Sequence, residues 1–598
     1  MSPYSNDGLS IRYPIDPKFL LRKKKSIKRA LIARGGQVEK RIAILGGSTT
    51  AEIGEMLELF LLDRGIRPIF YESEYNKYYE DVMFCNEALL AFAPDLIFVH
   101  TTNVNIRQYP SHGNPAKNLL ETELNHFCAM WDEIRVRYNC PIIQNNFDPP
   151  RHRPLGNLEA YDSHGICLFI NQLNQRFADE AQTRDYLYLH DINWLAASLG
   201  LTAWRDLNVW YGYKYAIGFD AIPAYSNSVA SIIGSIFGMA RKCLILDLDN
   251  TLWGGVIGDD GVGGIQIGHE TPEGEAHRDL QTYARNLKER GVILAIASKN
   301  NPESALEGLS HPDNVLRTED FSVIKANWDP KHENVGKIAE ELNIGTDALL
   351  FIDDNAAERD IVASNLPTVC VPNVGSDIAN FVTVLDSTGH FEPVSISLED
   401  RKRSQLYAEN AERVSHAAKY ADYNEFLKSL EMIADISGFR TAYLDRVSQL
   451  TNKSNQFNLT TRRYSTAEIQ AMAVKATWIT LQASLTDKYG DNGIVSVVAG
   501  EVVRETLRVD LWLMSCRVLK RNLEFALLEA LVKEAVSRGV ATIIGEYIPT
   551  AKNSMVRQFY ADLGFTPLDF ADNGSSRWIL KVEHYRPIDY FIEIRNEY

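Results

Sequence analysis

The 598-residue chain has little cysteine and no long apolar run. Its seven cysteines are scattered, with no CxxC pair and no Cys/His zinc spacing, which excludes a disulfide framework and a structural zinc site. No apolar run reaches the roughly 18–20 residues of a membrane span, and tandem repeats and low-complexity linkers are also missing. We therefore expect a reduced, cytoplasmic protein with no membrane span.

An excess of basic residues is also missing. Lys and Arg number 62 against 78 Asp and Glu, so the net charge is −16, which argues against nucleic acid or an acidic membrane as the main partner. One stretch from Arg22 to Arg34, RKKKSIKRALIAR, is basic and has helical spacing. We interpret it as the solvated face of a helix. Composition does not determine an oligomeric state.

The remaining composition is that of a globular, multidomain protein. Hydrophobic residues make up 45% and charged residues 23%, and domains of roughly 100–200 residues would make this a chain of about three to five domains. Strand-like and helix-like runs alternate over the first 390 residues, which predicts parallel α/β sheets. We expect two doubly wound, Rossmann-like domains over residues 1–238 and 239–395, then an α+β domain over residues 396–598 that opens with a charged helix near Ser397 to Ala418.

The strongest chemical signal lies in the central segment. An apolar strand near Cys243–Leu246 runs into Asp247 and Asp249. Alternate residues of an extended chain point the same way, so these two carboxylates should face one site. Paired carboxylates repel unless a cation lies between them, and hard oxygen ligands suit Mg²⁺. Ligands of open α/β sheets bind at the carboxyl ends of strands, where this pair falls.

Further strand ends supply the other groups that phosphoryl transfer needs. A strand over Val292–Ala297 is followed by Ser298, and Lys331 precedes an amphipathic helix. A third strand, Ala348–Ile352, is followed by Asp353 and Asp354. A nucleophile, an acid/base, a metal site and a stabilising ammonium are the set required for phosphoryl transfer to an enzyme carboxylate.

These motifs resemble a known family. The order DLDNT, strand-end serine, lysine and DD resembles the haloacid dehalogenase superfamily. The longer runs resemble its FkbH-like branch; they are TLWGGVIGDDG, LAIASKNN, NWDPK and FIDDNAAERD. A lone DxDxT is a weak signal, but four motifs in order, each ending an apolar strand, are a strong one. The alternative is a domain whose Asp residues cap helices, which would need one acid at each helix rather than two apposed pairs.

The resemblance implies a role for each catalytic candidate. Asp247 would be the nucleophile that forms an aspartyl phosphate, and Asp249 the general acid/base. Thr251 would support Asp249 and the bound phosphate. Ser298 would bind the phosphoryl oxygens, and Lys331 would stabilise the charge on the nucleophile and the phosphate.

The resemblance also implies a metal site. Mg²⁺ would bind Asp247, a backbone carbonyl of Asp249 and an acid of the last motif. Asp354 aligns best with that acid, and Asp353 is the second choice. Asn300, after the strand-end serine, is a further candidate for contact with phosphate or substrate.

The spacing of the motifs leaves no room for a large cap domain. Only 48 residues lie between Asp249 and Ser298, and 32 between Ser298 and Lys331. The site should be open, or covered by the flanking domains. An open site favours a bulky or protein-attached substrate.

The N-terminal segment resembles an SGNH-hydrolase-like fold. Ser48, in the run LGGSTT after the first strand, lies at a strand-to-helix turn where backbone N–H groups could bind an oxyanion. Asn103 or Asn105 follows a later strand. The expected late histidine is missing, and His190 and His112 do not fit the pattern, so Ser48 lacks an activating base. The alternative is an N-cap serine in a non-catalytic domain.

The C-terminal segment resembles a GNAT acyltransferase. The run TAKNSMVRQFYADLGF, with Asn553 and Tyr560, is similar to the last motif of that fold. Strands are expected near Trp478–Ala483, Gly493–Ala499, Arg508–Ser515 and Ala541–Glu546, with a long helix near Leu523–Val536. The resemblance makes acyl-CoA or phosphopantetheine a candidate cofactor.

The loop that would bind pyrophosphate departs from the family pattern. The small positions are held by Lys520 and Asn522, whose side chains crowd the backbone, although Lys520 and Arg521 could contact phosphate directly. Arg517 and Lys520 are candidate contacts for acyl-CoA or a carrier protein, and a basic patch at Lys520 and Arg521 would form the docking site for an acidic carrier. Cys516, just before the loop, is a candidate thiol for carrying an acyl group; a lone strand-end cysteine is also typical of a buried core.

A polar run, NKSNQFNLTTRRY, is a further FkbH-like feature. It contains Arg462 and Arg463, groups that recognise phosphate and carboxylate. The alternative is a polar loop with Asx turns.

The leading functional hypothesis follows from the resemblance, which covers nearly the whole chain. The family prototype loads a glyceryl unit from 1,3-bisphosphoglycerate onto the phosphopantetheine of an acyl carrier protein. We expect a Mg²⁺-dependent phosphatase/acyltransferase with a small phosphorylated substrate, a carrier protein partner and no nucleic acid, in secondary or glycan biosynthesis. The alternatives are a plain phosphatase acting on a phosphorylated sugar or small acid, and a non-catalytic assembly protein.

Overall fold

The computed structural model describes residues 11–111, 116–396, 422–454, 456–550 and 553–596. It also describes a few single positions between these ranges, namely Leu406, Glu409, Arg413, His416 and Tyr420. The predicted helix from Ser397 to Ala418 lies largely outside the described residues. None of the described helices has the length and apolarity that crossing a membrane requires. The chain divides into two compact units after Ile236, and Glu392–Val394 belong to the first of them.

Seventeen strands and the helices between them make up the described fold. The first nine strands are β1 (Val38–Gly46), β2 (Ile66–Glu72), β3 (Leu96–His100), β4 (Ile142–Asn145), β5 (Leu187–His190), β6 (Cys243–Leu246), β7 (Ile293–Ser298), β8 (Val323–Ala326) and β9 (Leu349–Ile352). The remaining strands are β10 (Met432–Ser437), β11 (Trp478–Asp487), β12 (Gly490–Val503), β13 (Thr506–Met514), β14 (Thr542–Tyr547), β15 (Thr566–Phe570), β16 (Ser576–Lys581) and β17 (Ile592–Asn596).

The helices alternate with the strands in the first two sheets. Those of the first compact unit are Pro17–Ala33, Ala51–Asp63, Tyr78–Met83, Glu87–Phe92, Ala116–Tyr138, Ile166–Thr183, Ile192–Leu199, Leu201–Trp204, Leu207–Tyr213 and Ile222–Ile236. Those of the second are Ile257–Asp260, Pro272–Glu289, Pro302–Leu309, Lys331–Glu341, Ala356–Asn365, Phe381–Ser387, Tyr423–Ser429, Leu444–Lys453, Thr466–Val474, Leu523–Ser537 and Phe559–Asp562.

The first unit is a five-stranded parallel sheet with helices. Its strand order is β2-β1-β3-β4-β5, and every neighbouring pair is parallel. The chain moves outward from β1 in both directions, so the sheet is doubly wound as the sequence predicts. A core of aromatic side chains fills one side of it, including Phe127, Trp131 and Phe177.

A second parallel sheet follows in the chain. Its order is β8-β7-β6-β9, and all three pairs are parallel. Every residue of β6, β7 and β9 is buried, which is typical of a strand covered on both faces. The helix Pro272–Glu289 begins where the Thr271 hydroxyl accepts the Gly274 N–H, with proline in the first turn.

The C-terminal sheet is mixed rather than parallel. Its order is β15-β16-β14-β13-β12-β11-β10-β17. The pairs β13–β14 and β10–β17 are parallel, and the others are antiparallel. The helix Leu523–Ser537 buries apolar residues in the core beside this sheet. The chain is therefore α/β, with two parallel sheets and one mixed sheet.

Candidate active site

The predicted phosphoryl-transfer residues meet at one edge of the second parallel sheet. Asp247 directly follows β6, Ser298 ends β7, and Asp353 directly follows β9. Lys331 is the first residue of the helix that follows β8. Because the carboxyl ends of parallel strands share one edge, residues separated by more than 100 positions become neighbours.

The Lys331 ammonium is buried between two carboxylates. Its Nζ lies 2.9 Å from Oδ2 of Asp247 and 2.6 Å from Oδ2 of Asp353. Burial alone would lower the pKa of Lys331, but the two ion pairs raise that pKa above its ordinary value. The lysine is therefore charged at neutral pH and holds both carboxylates in place.

One oxygen of Asp247 has no protein partner. Asp247 is only 5% exposed, and its Oδ1 is a buried atom without a hydrogen bond among the described residues. A buried, unpartnered carboxylate oxygen is costly. Such an atom is suited to bind a cation or to attack an electrophile.

Three carboxylates lie close enough to hold a metal ion. Asp247, Asp353 and Asp354 each offer an oxygen, and these atoms all lie within 4.8 Å of one another. Burial, with the charge of Asp247, raises the pKa of Asp353 to about 6 and also raises the pKa of Asp354. Three acids with one lysine leave a negative charge that a divalent cation would offset, and oxygen donors are those that Mg²⁺ prefers.

The Asp249 carboxylate is directed to other partners. Its Oδ1 accepts hydrogen bonds from the Trp253 indole (2.9 Å) and the Ile257 backbone N–H (3.1 Å). Its Oδ2 accepts one from Nδ2 of Asn300 at 2.9 Å. Burial is the main reason that its pKa is raised, and the charge of Asp247 adds to it. The surroundings of Asp249 thus differ from those of Asp247. Different surroundings are the usual means by which an active site gives one carboxyl group the role of acid and another the role of nucleophile.

A cavity of about 180 Å³ opens over these residues. It is lined by Asp247, Asp249, Asn250, Ser298, Lys299, Lys331, Asp354, Asn355 and Glu358. Ser298 is 2% exposed and lines the cavity as its predicted contact with phosphoryl oxygens requires. No cap domain lies between the motifs, since the segments from Asp249 to Lys331 are fully described and contain only β7, β8, three helices, one 3-10 turn and the loops between them.

The Thr251 hydroxyl bonds to the loop that follows β9. Its hydroxyl accepts the backbone N–H of Asp354 at 3.3 Å, and the residue is fully buried outside the cavity lining. The expected support of Asp249 and the expected contact of Thr251 with phosphate stay predictions. Thr251 connects the loop after β6 to the loop after β9.

Several supporting residues were not anticipated from the sequence. The Arg359 guanidinium donates to the backbone carbonyls of Asp353 (2.6 Å) and Asp354 (2.7 Å). His277 and Gln281 bond to the backbone carbonyls of residues 251 and 252. The sequence indicated these residues only as polar positions inside amphipathic helices. The carbonyl groups to which they donate become known only from the fold.

In the N-terminal unit, Ser48 lies beside a histidine that the sequence patterns did not suggest. Its Oγ lies 2.9 Å from Nε2 of His100, the last residue of β3. The other ring nitrogen of His100 lies 2.5 Å from the hydroxyl of Tyr225. Burial lowers the pKa of His100 to about 3, so this imidazole is neutral. The helix that follows has Thr50 at its N-cap, which corrects the alternative that Ser48 caps it.

Asn145 decides which nitrogen of His100 carries the proton. Its Nδ2 donates to the Thr101 carbonyl and to the Tyr225 hydroxyl, each at 2.9 Å. The Tyr225 proton is then directed to Nδ1 of His100, which leaves the Nε2–H to donate to Ser48. In this arrangement Ser48 accepts a hydrogen bond and has no base to take its proton.

Asn103 is occupied away from Ser48. Its Nδ2 donates to the carbonyls of Asp148 and Pro149, at 3.2 and 2.7 Å. The neighbour of the serine turn is Asn105, whose Nδ2 donates to the Gly47 carbonyl at 2.7 Å. Of the two asparagines left open by the sequence, the structure brings Asn105 to this turn.

In the C-terminal sheet, the two candidates of the last motif are buried. Nδ2 of Asn553 donates to the carbonyls of Asn458 (3.0 Å) and Ile548 (2.9 Å), and its Oδ1 accepts the Thr550 N–H (2.7 Å). Tyr560 is 1% exposed, and burial raises its pKa well above the ordinary value. Both residues contribute to the domain core.

The loop before the long helix places its cations in different surroundings. Arg521 is buried and lies 2.9 Å from Asp487, and Nε of the buried Arg517 bonds to the Ser515 hydroxyl at 3.2 Å. Lys520 is exposed and has a positive φ of 62°. Cys516 begins a short helical turn, Cys516–Val518, and its side chain lies outside the described part.

The two arginines of the polar run also have internal partners. Arg462 forms ion pairs with Asp510 and, at 2.9 Å, with Glu546. Arg463 donates to the carbonyls of Thr451 and Ser454. Neither arginine lines the cavity at Asp247.

The same polar run fills the opening between β13 and β14. These strands pair only over Thr506–Val509 and Thr542–Gly545. Beyond that point Leu459 donates to the Trp512 carbonyl (3.1 Å) and accepts from the Ile548 N–H (2.9 Å). An extended amide-containing ligand such as phosphopantetheine would have to displace this segment to pair with either strand at this point.

Comparison with known proteins supports the predicted resemblance in part. Residues 41–234 match the family model described as FkbH, N-terminal domain. A solved structure of the N-terminal part of a Bacteroides fragilis protein is described as containing a phosphatase domain complexed with Mg. It is 28% identical to this chain, covers 63% of it and 99% of its own length, and has a TM-score of 0.58. Comparison with curated proteins gives no match.

Two acetyltransferase structures also show a weak likeness. The ribosomal-protein-S18-alanine N-acetyltransferase of Escherichia coli is 20% identical over 25% of this chain and 94% of its own length, with a TM-score of 0.20. The GNAT domain of S. lividans PAT is 15% identical over 24% of this chain and 89% of its own, also with a TM-score of 0.20. The GNAT-like character of the C-terminal part therefore stays a prediction. Residues 41–234 are thus similar to the FkbH N-terminal domain, and the chain is similar over 63% of its length to a protein described as containing a phosphatase domain complexed with Mg.

Proposed function

We propose that this protein is a Mg²⁺-dependent phosphatase of the FkbH type that loads a glyceryl or related acyl unit onto an acyl carrier protein. The donor would be 1,3-bisphosphoglycerate, and phosphate would leave through an aspartyl phosphate on Asp247. The buried, unpartnered Oδ1 of Asp247 is the observation that carries the phosphatase half of the proposal. The Bacteroides structure with a Mg-bound phosphatase domain supports the same half.

The phosphoryl step uses the asymmetry of Asp247. Oδ2 is held 2.9 Å from Lys331, so Oδ1 is left to attack the phosphorus of a phosphate ester. The Oδ1–P bond forms as the P–O bond to the substrate breaks. Lys331 offsets the negative charge on the nucleophile and on the transferred group.

Asp249 handles the proton of this step. Its raised pKa favours the protonated form that can donate to the leaving alkoxide. In the second half, water attacks the aspartyl phosphate and gives its proton back to Asp249, which releases phosphate and restores Asp247. The hydrogen bonds from Trp253 and Asn300 orient this carboxyl group.

The three-carboxylate cluster fits Mg²⁺. Asp247 and Asp354 would hold the ion, with Asp353 kept beside them by Lys331. When bound, Mg²⁺ offsets the charge of the phosphoryl oxygens and of the cluster.

The acyl step breaks a different bond of the same donor. The carrier thiol attacks the acyl phosphate carbonyl, the C–S bond forms, and the C–O bond to phosphate breaks as the thiol loses its proton. Complete conversion of one 1,3-bisphosphoglycerate therefore releases two phosphates for each glyceryl loaded. One phosphate comes from the ester through Asp247, and the other comes from the acyl phosphate.

Intact mass spectrometry of a phosphopantetheinylated carrier tests the proposal. The carrier is incubated with this protein, Mg²⁺ and 1,3-bisphosphoglycerate, and phosphate is measured in parallel. We expect a glyceryl mass gain without a retained phosphate group. Asp247→Asn is the matched variant, and carrier loaded by it should keep the ester phosphate or not form. A glyceryl free of phosphate made by Asp247→Asn contradicts the nucleophile assignment.

A plain phosphatase is the second candidate. It is favoured by the internal partners of Asn553, Arg462 and Arg521, which leave the C-terminal candidates engaged within their own domain. Phosphate release from a phosphorylated sugar or small acid, with no carrier mass gain from any acyl phosphate, would identify this activity. A non-catalytic assembly protein does not require a nucleophile, an acid and a lysine at one site, so the presence of all three candidates argues against that alternative.

A further inference from the structure

The helix Pro17–Ala33 is strongly basic on a chain that is strongly acidic. It contains seven cations and no carboxylate, in a protein of net charge −16. Its cations are Lys18, Arg22, Lys23, Lys24, Lys25, Lys28 and Arg29. The surroundings of these cations show which of them the fold pairs with carboxylates.

Two of the seven cations form ion pairs with a neighbouring helix. Lys24 lies 2.7 Å from Glu52 and 2.5 Å from Glu55, and Lys28 lies 2.5 Å from Glu58. The three acids lie on the helix Ala51–Asp63. This helix pair shows that the basic helix docks well against carboxylates at helical spacing.

Four other cations form a line on the side of the helix away from its buried residues Leu20, Ile27 and Leu31. Lys18, Arg22, Lys25 and Arg29 follow the spacing i, i+4, i+7, i+11, and all four are exposed. None of the four has an ion pair with a carboxylate among the described residues of the first unit. We call these four residues the basic face. Like charges at three- and four-residue spacing destabilise a helix, so the basic face has a cost that the fold does not offset.

We propose that the basic face is the docking surface for the carrier protein of the proposed function, which would bind it through acidic side chains. This inference rests on the proposed function and names the surface through which the carrier is recruited. The occupant is a folded protein that presents acidic side chains along a helix, as Ala51–Asp63 does to Lys24 and Lys28. Complementary charge on such surfaces mainly speeds association and fixes orientation.

Charge complementarity favours this surface over the one expected from the sequence. A surface of net charge −16 repels an acidic partner except where cations are concentrated. The predicted patch at Lys520 and Arg521 does not serve, because Arg521 is buried against Asp487 and leaves one exposed lysine.

Charge reversal on the full-length protein tests the assignment. The variant Arg22→Glu, Lys25→Glu, Arg29→Glu should raise the KM for the carrier by about tenfold or more at low salt. Phosphate release without carrier should stay at the wild-type rate, because these residues lie far from Asp247 in the chain and in a different compact unit. Added salt should raise the wild-type KM and reduce the difference between the two proteins.

A matched control separates location from total charge. Arg67, Lys117 and Arg153 are exposed cations elsewhere in the same unit, and their joint reversal to glutamate changes the net charge equally. The control should keep the wild-type carrier KM. Equal effects of the two triple variants, or no effect of the first, would overturn the proposal.

The outcomes also distinguish failure of the docking surface from failure of the proposed function. If wild-type protein loads no carrier, the acyl half of the function is wrong, and binding of the phosphopantetheinylated carrier by titration still tests the surface. Wild-type binding to anionic phosphatidylserine vesicles or duplex DNA that the first variant loses, with carrier affinity unchanged, would show that another partner occupies the basic face and overturn the assignment.

Discussion

Asp247→Asn is the change whose consequences differ most between a catalytic and a structural role. It removes the proposed nucleophile and one of three clustered carboxylates while keeping the size of the side chain. Loss of half of a buried ion pair commonly costs about 3–5 kcal/mol, because an uncompensated charge remains. Here Lys331 keeps its second partner, Asp353, at 2.6 Å, so no charge is left alone.

The magnitude follows from the distances. At an effective dielectric of about 20, the 2.9 Å pair of Asp247 with Lys331 is worth about 6 kcal/mol. Repulsion from Asp353 and Asp354, whose oxygens lie within 4.8 Å, is worth at least about 3.5 kcal/mol each. The two repulsions together exceed the attraction by at least about 1 kcal/mol. Without Mg²⁺, we expect the variant to be as stable as wild type or more stable by about that amount.

Thermal unfolding with and without Mg²⁺ measures this effect. In EDTA, Asp247→Asn should unfold at the wild-type temperature or roughly 2–4 °C above it, the shift that about 1 kcal/mol gives in a domain of this size. Mg²⁺ should stabilise wild type, by about 2.7 kcal/mol at a hundredfold excess over its Kd, and should stabilise the variant much less. Phosphate release should be lost in the variant under all conditions.

Asp249→Asn is the matched control. Its side chain bonds to Trp253, Ile257 and Asn300 rather than joining the carboxylate cluster, so it should lose activity and keep the Mg²⁺ stabilisation. A loss of 3 kcal/mol or more by Asp247→Asn in EDTA would refute the electrostatic reasoning. Phosphate release by that variant would refute the nucleophile.

Three further predictions concern buried groups. Lys331→Met leaves the clustered carboxylates without their ammonium, so in EDTA it should lower the free energy of unfolding by about 3–5 kcal/mol, with partial recovery in Mg²⁺; equal losses with and without the ion would contradict this. Burial lowers the pKa values of His100 and His190 to about 3, below the value of about 6.5 in the unfolded chain. The stability that the two neutral histidines contribute is therefore complete above pH 6.5 and is lost as the pH falls, by about 2 kcal/mol per histidine at pH 5. Hydrogen exchange of β3 and β5 should accordingly be faster, relative to the unfolded chain, at pH 5 than at pH 7.5. Equal protection at the two pH values would show that these histidines titrate normally. Asn553→Ala leaves buried backbone groups unpaired and should cost about 2–3 kcal/mol, measured by urea unfolding, whereas a neutral result would show that the site is not part of the core.

Much of the architecture could be predicted from the sequence because it depends on local pattern. The apolar run before Asp247 predicts a buried strand, and β6 is buried at every residue. The strands predicted in the C-terminal segment are present, although β12 is longer than expected and spans Gly490–Val503. Hydrophobic periodicity identifies such elements, while their ends depend on tertiary contacts.

The candidate active site was predicted in the same way. Polar residues at the ends of apolar strands must share an edge if the sheet is parallel, so Asp247, Ser298 and Lys331 could be grouped before the fold was seen. The roles of these residues stay predictions until the variants are measured. The sequence pattern does not predict the hydrogen-bond partner of each side chain, and the bond between the Thr251 hydroxyl and the Asp354 N–H is an example.

Tertiary structure alone decided the features that depend on long-range contact. His100 was not among the candidate residues, yet it lies 2.9 Å from Ser48 and 2.5 Å from the Tyr225 hydroxyl. Arg521 looks like a surface cation in the sequence and is buried against Asp487. The sequence by itself determined the elements and the chemistry available at their ends, since both follow from local spacing. Only the fold decided which charges are neutralised and which remain exposed, because an ion pair depends on distances between residues far apart in the chain.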